Sequence, residues 1–358
     1  MCFPQRTSII VAIMIGLTGY QGIGARVLAE GDLVVDVYDR ERAFNGTTIF
    51  RIGSRPEGER IIEVDMQGRV VWNYPVPLEL YRGNTHRSNH LMDIELLAND
   101  NVMFVIGRTA LYEINRRGTV VWSLIDPEVS HDADRLPNGN TIYVRGYVDK
   151  GEDHIREVMP GGKRVWSWNG VVQFDRPPFE NIYRHGWAHA NATQRLNGGN
   201  TLISLRNFAT VIEVDRQGKI VWKHDFRGSN RGGFERVYRE EATPGGFPHD
   251  PEISPGGNMI VGVQRPYLVY EIDRNGTIVW QWRHPEGAAV VAHIRDTNRL
   301  PNGNTLVVEV NKLIEVAPNG DIVWQLRVPS IDHDSRFNPA KSLYKAQRIA
   351  PNRDVFGN

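Results

Sequence analysis

A valine–tryptophan pair placed just after a glycine turn recurs six times, and no other feature limits the fold as strongly. The copies are Gly68-Arg-Val-Val-Trp72, Gly118-Thr-Val-Val-Trp122, Gly162-Lys-Arg-Val-Trp166, Gly218-Lys-Ile-Val-Trp222, Gly276-Thr-Ile-Val-Trp280 and Gly320-Asp-Ile-Val-Trp324. Successive tryptophans stand 50, 44, 56, 58 and 44 residues apart. A period in that range is the length of one four-stranded propeller blade, so the sequence predicts an all-β, six-bladed β-propeller.

The last unit shows the pattern. Ala292–Leu300 reads as strand a, Thr305–Val310 as b, Lys312–Val316 as c and Asp321–Leu326 as d. Pro301-Asn-Gly-Asn304 and Pro318-Asn-Gly320 supply the turns, and Asn-Gly favours the primed hairpin types because both central residues need positive φ. The first unit has b, c and d (Thr47–Ile52, Ile61–Asp65, Val70–Tyr74) but no strand a. Ser342-Leu-Tyr-Lys-Ala-Gln-Arg-Ile349 resembles the missing piece. The C-terminal strand is therefore expected to join the first blade and remove the open sheet edge. Residues 30–358 read as one propeller domain.

Residues 1–29 read as a secretory signal. Arg6 supplies a positive start, Ile9 to Leu17 an apolar core, and Val27 and Ala29 small residues before a cleavage point. The apolar stretch from Ser8 to Tyr20 has 13 residues, short of the roughly 20 that span a bilayer, so a short anchor is the lesser alternative. Export to the periplasm or beyond is expected, with no membrane association apart from this segment. Composition narrows the partners. Lys plus Arg and Asp plus Glu are both 42, so the chain has no net charge to recommend a nucleic acid. The single cysteine, Cys2, excludes internal disulfides and thiol-based metal sites. Two connections are long, 169–186 and 225–246, and carry Phe174, Arg176, Tyr183, Arg227, Arg231, Phe234 and Arg236; both suit binding loops or lids.

Aligning the strands a on the residue before the following turn sets Met92, His131, Asn191, His249, Arg295 and Tyr344 at one position. His90, Val129, His189, Phe247, His293 and Ser342 stand two residues earlier. The two sets share parity and so face the axis in two rings roughly 6.6 Å apart. By the same alternation Asp132 and Asp250 point away from the axis, as structural acceptors. Strand b ends near the same mouth, bringing Arg108, Arg145, Arg206 and Arg265. Histidine and arginine converging under long loops suit an oxyanion such as sulfate, phosphate or carboxylate. His90 and His293 serve equally well as structural residues, and His154, His224, His284 and His333 read as surface residues. Two other readings stand beside an enzyme of this kind: a ligand-binding propeller without catalysis, and a metal enzyme whose histidines hold iron, copper or zinc.

Ser130-His-Asp-Ala-Asp-Arg-Leu-Pro-Asn-Gly-Asn-Thr141, His189-Ala-Asn191 followed by Leu202-Ile-Ser-Leu-Arg-Asn207, and Pro248-His-Asp250 followed by Gly256-Gly-Asn258 resemble the bacterial aryl-sulfate sulfotransferases. The resemblance runs from about Thr47 to Pro351. It implies a periplasmic six-bladed propeller that moves a sulfuryl group from an aryl sulfate to a phenol through a sulfohistidine. No nucleotide donor, metal or other cofactor takes part in that chemistry. Carried over, His249 is the nucleophile, His189 and Arg206 hold the sulfate, and His131 and Asn191 are further binding residues. Arg295, in the ring of His249, is an added anion contact. The chain lacks the N-terminal β-domain and cysteine pair of the larger members, which leaves oligomeric state and substrate range open.

Overall fold

The computed structural model describes residues 32–54, 58–183, 185–226, 246–264, 267–287, 293–331 and 340–351. Residues 1–29, most of 225–246, Arg265, Ala292 and His333 lie outside them. Six antiparallel sheets form a propeller ring. Their inner strands are Ala346–Ile349, Leu91–Leu96, Ser130–Arg135, Ala190–Arg195, Pro248–Ile253 and Asp296–Arg299, for blades one to six in order. The C-terminal strand pairs with Thr47–Ser54 from Thr47↔Ile349 to Phe50↔Ala346, closing the first blade as the sequence predicts. A second closure was not legible: Val34–Tyr38 adds a fifth strand outside Ile322–Arg327 of blade six. Both chain ends thus tie the last blade to the first.

The turns depart from the expected primed hairpins. In the last unit the Gly303 N–H bonds Leu300 O at 2.9 Å and the Leu300 N–H bonds Asn304 O at 2.8 Å. Only Gly303 has positive φ, at 87°. This is a three-residue loop with one left-handed glycine, the next most common hairpin connection.

The recurring tryptophan has a specific role. Each indole N–H donates to a backbone carbonyl in the c–d turn of the next blade: Trp72 to Arg116, Trp122 to Pro160, Trp166 to Arg216, Trp222 to Arg274, Trp280 to Pro318 and Trp324 to Met66. An arginine from that next blade lies over each indole, with its guanidinium carbon 4.3 Å from the ring centre at Trp122 and 5.6 Å at Trp222. The same arginine pairs with the glutamate opposite the tryptophan, in Arg116–Glu63, Arg135–Glu113, Arg195–Glu157, Arg274–Glu213, Arg299–Glu271 and Arg348–Glu315. The arginine comes from the turn as Arg116 or Arg274 and from the inner strand as Arg135, Arg195, Arg299 or Arg348; at Trp166 the turn's Arg216 also pairs with Glu157. The asparagine ending each a–b turn holds the glutamate from behind, as Asn140 holds Glu157 at 2.7 Å and Asn304 holds Glu315 at 2.6 Å. Charge, dispersion and hydrogen bonding therefore meet at every junction.

These junctions differ in burial, which gives a test. Arg348 and Glu315 are both 0% exposed, whereas the Arg274 side chain is 45% exposed. Arg348→Ala strands a buried carboxylate and should lower the unfolding free energy by about 3–5 kcal/mol. Arg274→Ala should cost about 0–1 kcal/mol. Urea unfolding followed by tryptophan fluorescence measures both, and equal losses would contradict this account of the closing junction.

Candidate active site

The inner strands are bulged where they carry the histidines. Pairing shifts register between Leu91 and Asp93, between Tyr143 and Val144 opposite Ser130–Ala133, between Ala190 and Ala192, and between His249 and Glu252. His131, His189 and Asp250 have φ of 61°, 47° and 50°, in the left-handed region. A bulge turns two successive side chains to one face, so strict alternation fails here. The expectation that Asp132 and Asp250 point away from the axis is therefore corrected. Lys345 of blade one lies 3.3 Å from Asp93, 2.5 Å from Asp132 and 3.0 Å from Asp250, carboxylates of blades two, three and five that can meet only at the axis. Asp132 is nonetheless a structural acceptor, taking the Thr193 N–H at 2.5 Å. The axis thus has two levels: an imidazole level at the mouth, and below it a carboxylate cavity of about 230 Å³.

At the upper level His131 and His189, expected in separate rings, face each other with ring centres 4.9 Å apart. Tyr147 completes a triangle with them at 4.8 and 5.3 Å. Gly146 permits this packing, because a Cβ there would stand 2.2 Å from Ala190 O and 2.9 Å from His131 Nδ1. The His189 Nδ1 lies 2.8 Å from the carbonyl of His185 and must carry the proton, so the neutral ring presents a lone pair at Nε2. His249 packs against Tyr344, ring centres 5.5 Å apart, and its Nε2 is 3.5 Å from the Tyr344 hydroxyl. Among the described residues, Nδ1 of His249 and Nδ1 of His131 are buried without a hydrogen-bond partner.

Asn191 is 0% exposed and donates through Nδ2 to the carbonyl of Pro248 at 3.0 Å. It holds the residue before His249, and its burial leaves no room for the glycan that Asn191-Ala-Thr could have accepted. Arg206 begins a short turn, Arg206–Phe208, directly after strand b of blade four. Its backbone N–H bonds His189 O at 3.2 Å and its guanidinium lies 4.4 Å over Phe247. Arg295 lies 5.5 Å from the Tyr344 ring centre, with Nη2 3.4 Å from His293 Nδ1. His90 donates from Nδ1 to Leu91 O at 2.9 Å and packs edge-on to Tyr344, as a structural residue would.

Burial, reinforced by the Arg295 and Arg206 charges, holds His249 well below the usual imidazole pKa. Burial and then Arg206 do the same to His131 and His189. Burial and the Arg51 charge bring His90 down to about 3. The mouth therefore presents neutral imidazoles between two guanidinium groups, an arrangement that attracts an oxyanion and leaves the ring lone pairs free to react. Among the described residues no group of three or more His, Cys, Asp or Glu is arranged to hold a metal ion.

Several expectations need revision. His154 is fully buried between Trp168 and Trp187, with its pKa brought down to about 4 by burial, and His284 is also buried, so neither is a surface residue. His224 is half-buried on Phe226. The 169–186 connection is packed down, not a free lid: Phe174, Phe179 and Ile182 join the core, and the Trp187 indole donates to Phe179 O at 2.8 Å. His185 lies at the mouth, its ring centre 6.4 Å from that of His189, and its ring nitrogens stand 3.1 Å from Arg87. Tyr147 and Lys345 were not singled out in the sequence, and Tyr344 was aligned to the axis without a role. Tyr344 shares its strand position with His249, and that alignment was the available signal.

Residues 52–228 match the family model described as Arylsulfotransferase (ASST), and residues 151–342 match one described as Outer membrane protein assembly factor BamB. No curated protein matches the chain. Among solved structures, a protein of unknown function from Bacteroides caccae is 16% identical with a TM-score of 0.55, over 79% of this chain and 94% of that one. Virginiamycin B lyase from Staphylococcus aureus is 12% identical with a TM-score of 0.49, over 82% and 88%. With the six-bladed ring and the first of these matches, the chain belongs to the arylsulfotransferase family, and residues 151–342 bring it also into the BamB family.

Proposed function

We propose that the chain transfers a sulfuryl group from an aryl sulfate to a phenolic acceptor through a covalent intermediate on His249, in ping-pong order. The observation that carries this reading is a buried imidazole, His249, packed on the Tyr344 ring that also carries the Arg295 guanidinium, with the Arg206 guanidinium over Phe247 two residues before it. A lone pair on the His249 ring forms an N–S bond as the ester S–O bond breaks, and the phenolate leaves with that electron pair. The second phenol forms a new S–O bond as N–S breaks. One phenolate gains a proton and one phenol loses one, so the cycle balances.

The other residues divide the remaining work. Arg206 and Arg295 neutralise sulfuryl oxygens that stay anionic throughout. The lone pair of His189 at Nε2 accepts the proton of the incoming phenol, and the ring then adds positive charge beside the sulfuryl group. That assignment differs from simple sulfate holding, and the bond of Nδ1 to His185, which leaves the lone pair at Nε2, supports it. His131 lies against His189 and lines the sulfuryl site, while Asn191 fixes the backbone before the nucleophile. Residues 1–29 support action outside the cytoplasm, and the arylsulfotransferase match supports small aryl sulfate and phenol substrates. No cofactor is required by this scheme.

Purified protein given 4-nitrophenyl sulfate should release nitrophenolate in proportion to added phenol. His249→Ala should lose at least about a thousandfold of that rate. Phenol-independent release would indicate a hydrolase, and no release from folded protein with several phenols would leave a binding propeller. The pH profile is a second check. Because His249 is held below the usual imidazole range, protonation disables it only well below pH ~6.5. Donor kcat/KM, which in a ping-pong scheme does not contain the acceptor, should stay flat from pH 8 down through ~6.5. An acid limb at or above that point would contradict the neutral nucleophile.

A further inference from the structure

Lys345 directly precedes the inner strand of blade one, at the aligned position that carries Asp93, Asp132, Asp250 and Asp296 in four other blades. Burial opposes its charge, yet the carboxylates of Asp132, Asp250, Asp93 and Asp296 outweigh that and hold it well above the ordinary lysine value. Asp132 directly follows His131, and Asp250 directly follows His249. Asp93 follows Met92, whose sulfur accepts the backbone N–H of His131 at 3.1 Å. The far oxygens are also engaged: Asp132 takes the Thr193 N–H and Asp93 takes the Ala133 N–H at 2.9 Å. Asp296 takes the Ala346 N–H beside Lys345, at 3.0 Å.

Left-handed backbone at a non-glycine residue persists only where its surroundings enforce it. At His131 and Asp250 the enforcing contact comes from the axis. One ammonium draws both carboxylates inward, and that fixes the rotation of each bulge. The rotation in turn sets where the neighbouring imidazole points. Lys345 also supplies the cation of the carboxylate cavity.

We propose that Lys345 is a positioning residue: through Asp132 and Asp250 it sets the orientation of His131 and His249. The kinetic part rests on the sulfuryl-transfer reading, and the geometric part does not. A consequence is that the site is complete only when the C-terminal strand has docked, since Tyr344 and Lys345 directly precede that strand.

The test is Lys345→Met and Lys345→Arg in the full chain, with active molecules counted from the nitrophenolate burst. K345M should lose about 100-fold in kcat per active molecule, the scale of a small misplacement of reacting groups. Donor KM should change by less than about threefold, and K345R should recover most of the rate. The Hε1–Cε1 NMR signals of His131 and His249 should move in K345M, while those of His154 and His284 stay in place. If K345M does not fold, Asp132→Asn should move the His131 signal and lower kcat in the same direction. A folded K345M with wild-type kcat and unmoved His131 and His249 signals would overturn the proposal. Should the wild type transfer no sulfuryl group, that reading fails by itself, and the NMR comparison still decides the role of Lys345.

Discussion

At each junction of the ring, an indole from one blade is held between a backbone carbonyl and a guanidinium of the next, while a glutamate fixes the guanidinium. Every other feature of the molecule depends on this contact, because a four-stranded sheet with two open faces has no stability until its neighbours cover it. The contact is tolerant in its parts. Arg116 and Arg274 reach in from the turn, whereas Arg135, Arg195, Arg299 and Arg348 reach in from the inner strand. The geometry of each junction is thus kept while the residue that supplies the charge moves between elements.

A rigid ring permits irregularity at its centre. The inner strands give up regular pairing beside Met92, His131, Asn191 and His249, and in blades two, three and five the next residue, Asp93, Asp132 or Asp250, brings a carboxylate to Lys345 at the axis. The result is a layered interior, with imidazoles and guanidinium groups at the mouth and carboxylates around one lysine beneath. The two layers are covalently adjacent in blades three and five, where His131 precedes Asp132 and His249 precedes Asp250. Burial acts on both layers in opposite senses. It keeps the histidines neutral, and it raises the pKa values of Asp93 to about 7 and of Glu95 and Glu252 to about 8.

Much of this architecture could be read from the chain. The six Val-Trp pairs, the turn glycines and the displaced strand a gave blade number and closure, because those features repeat and each repeat confirms the next. The Val34–Tyr38 strand lies outside the repeat, so no copy pointed to it. The alignment of strands a put His131, His249, Arg295 and Tyr344 in one ring, and the first three do surround the Tyr344 ring, but it set His189 in a separate ring although His189 faces His131. It failed for Asp132 and Asp250, since alternation assumes regular pairing and a bulge at a non-glycine residue leaves no local mark. Lys345 was illegible for a related reason: its partners lie more than ninety positions away and meet it only at the axis. His154 and His284 were misread because burial depends on which blade packs over them, which one strand cannot reveal.

The central claim is that His249 carries the sulfuryl group between two phenols. It is tested most directly by exposing the protein to an aryl sulfate with no acceptor, quenching in base, and measuring intact and peptide masses. The account predicts a gain of one SO₃ on the peptide holding His249, discharged when phenol is added before the quench and absent in His249→Ala. A wild-type protein that turns over the ester with phenol yet never gains that mass, or gains it on another residue, would contradict it.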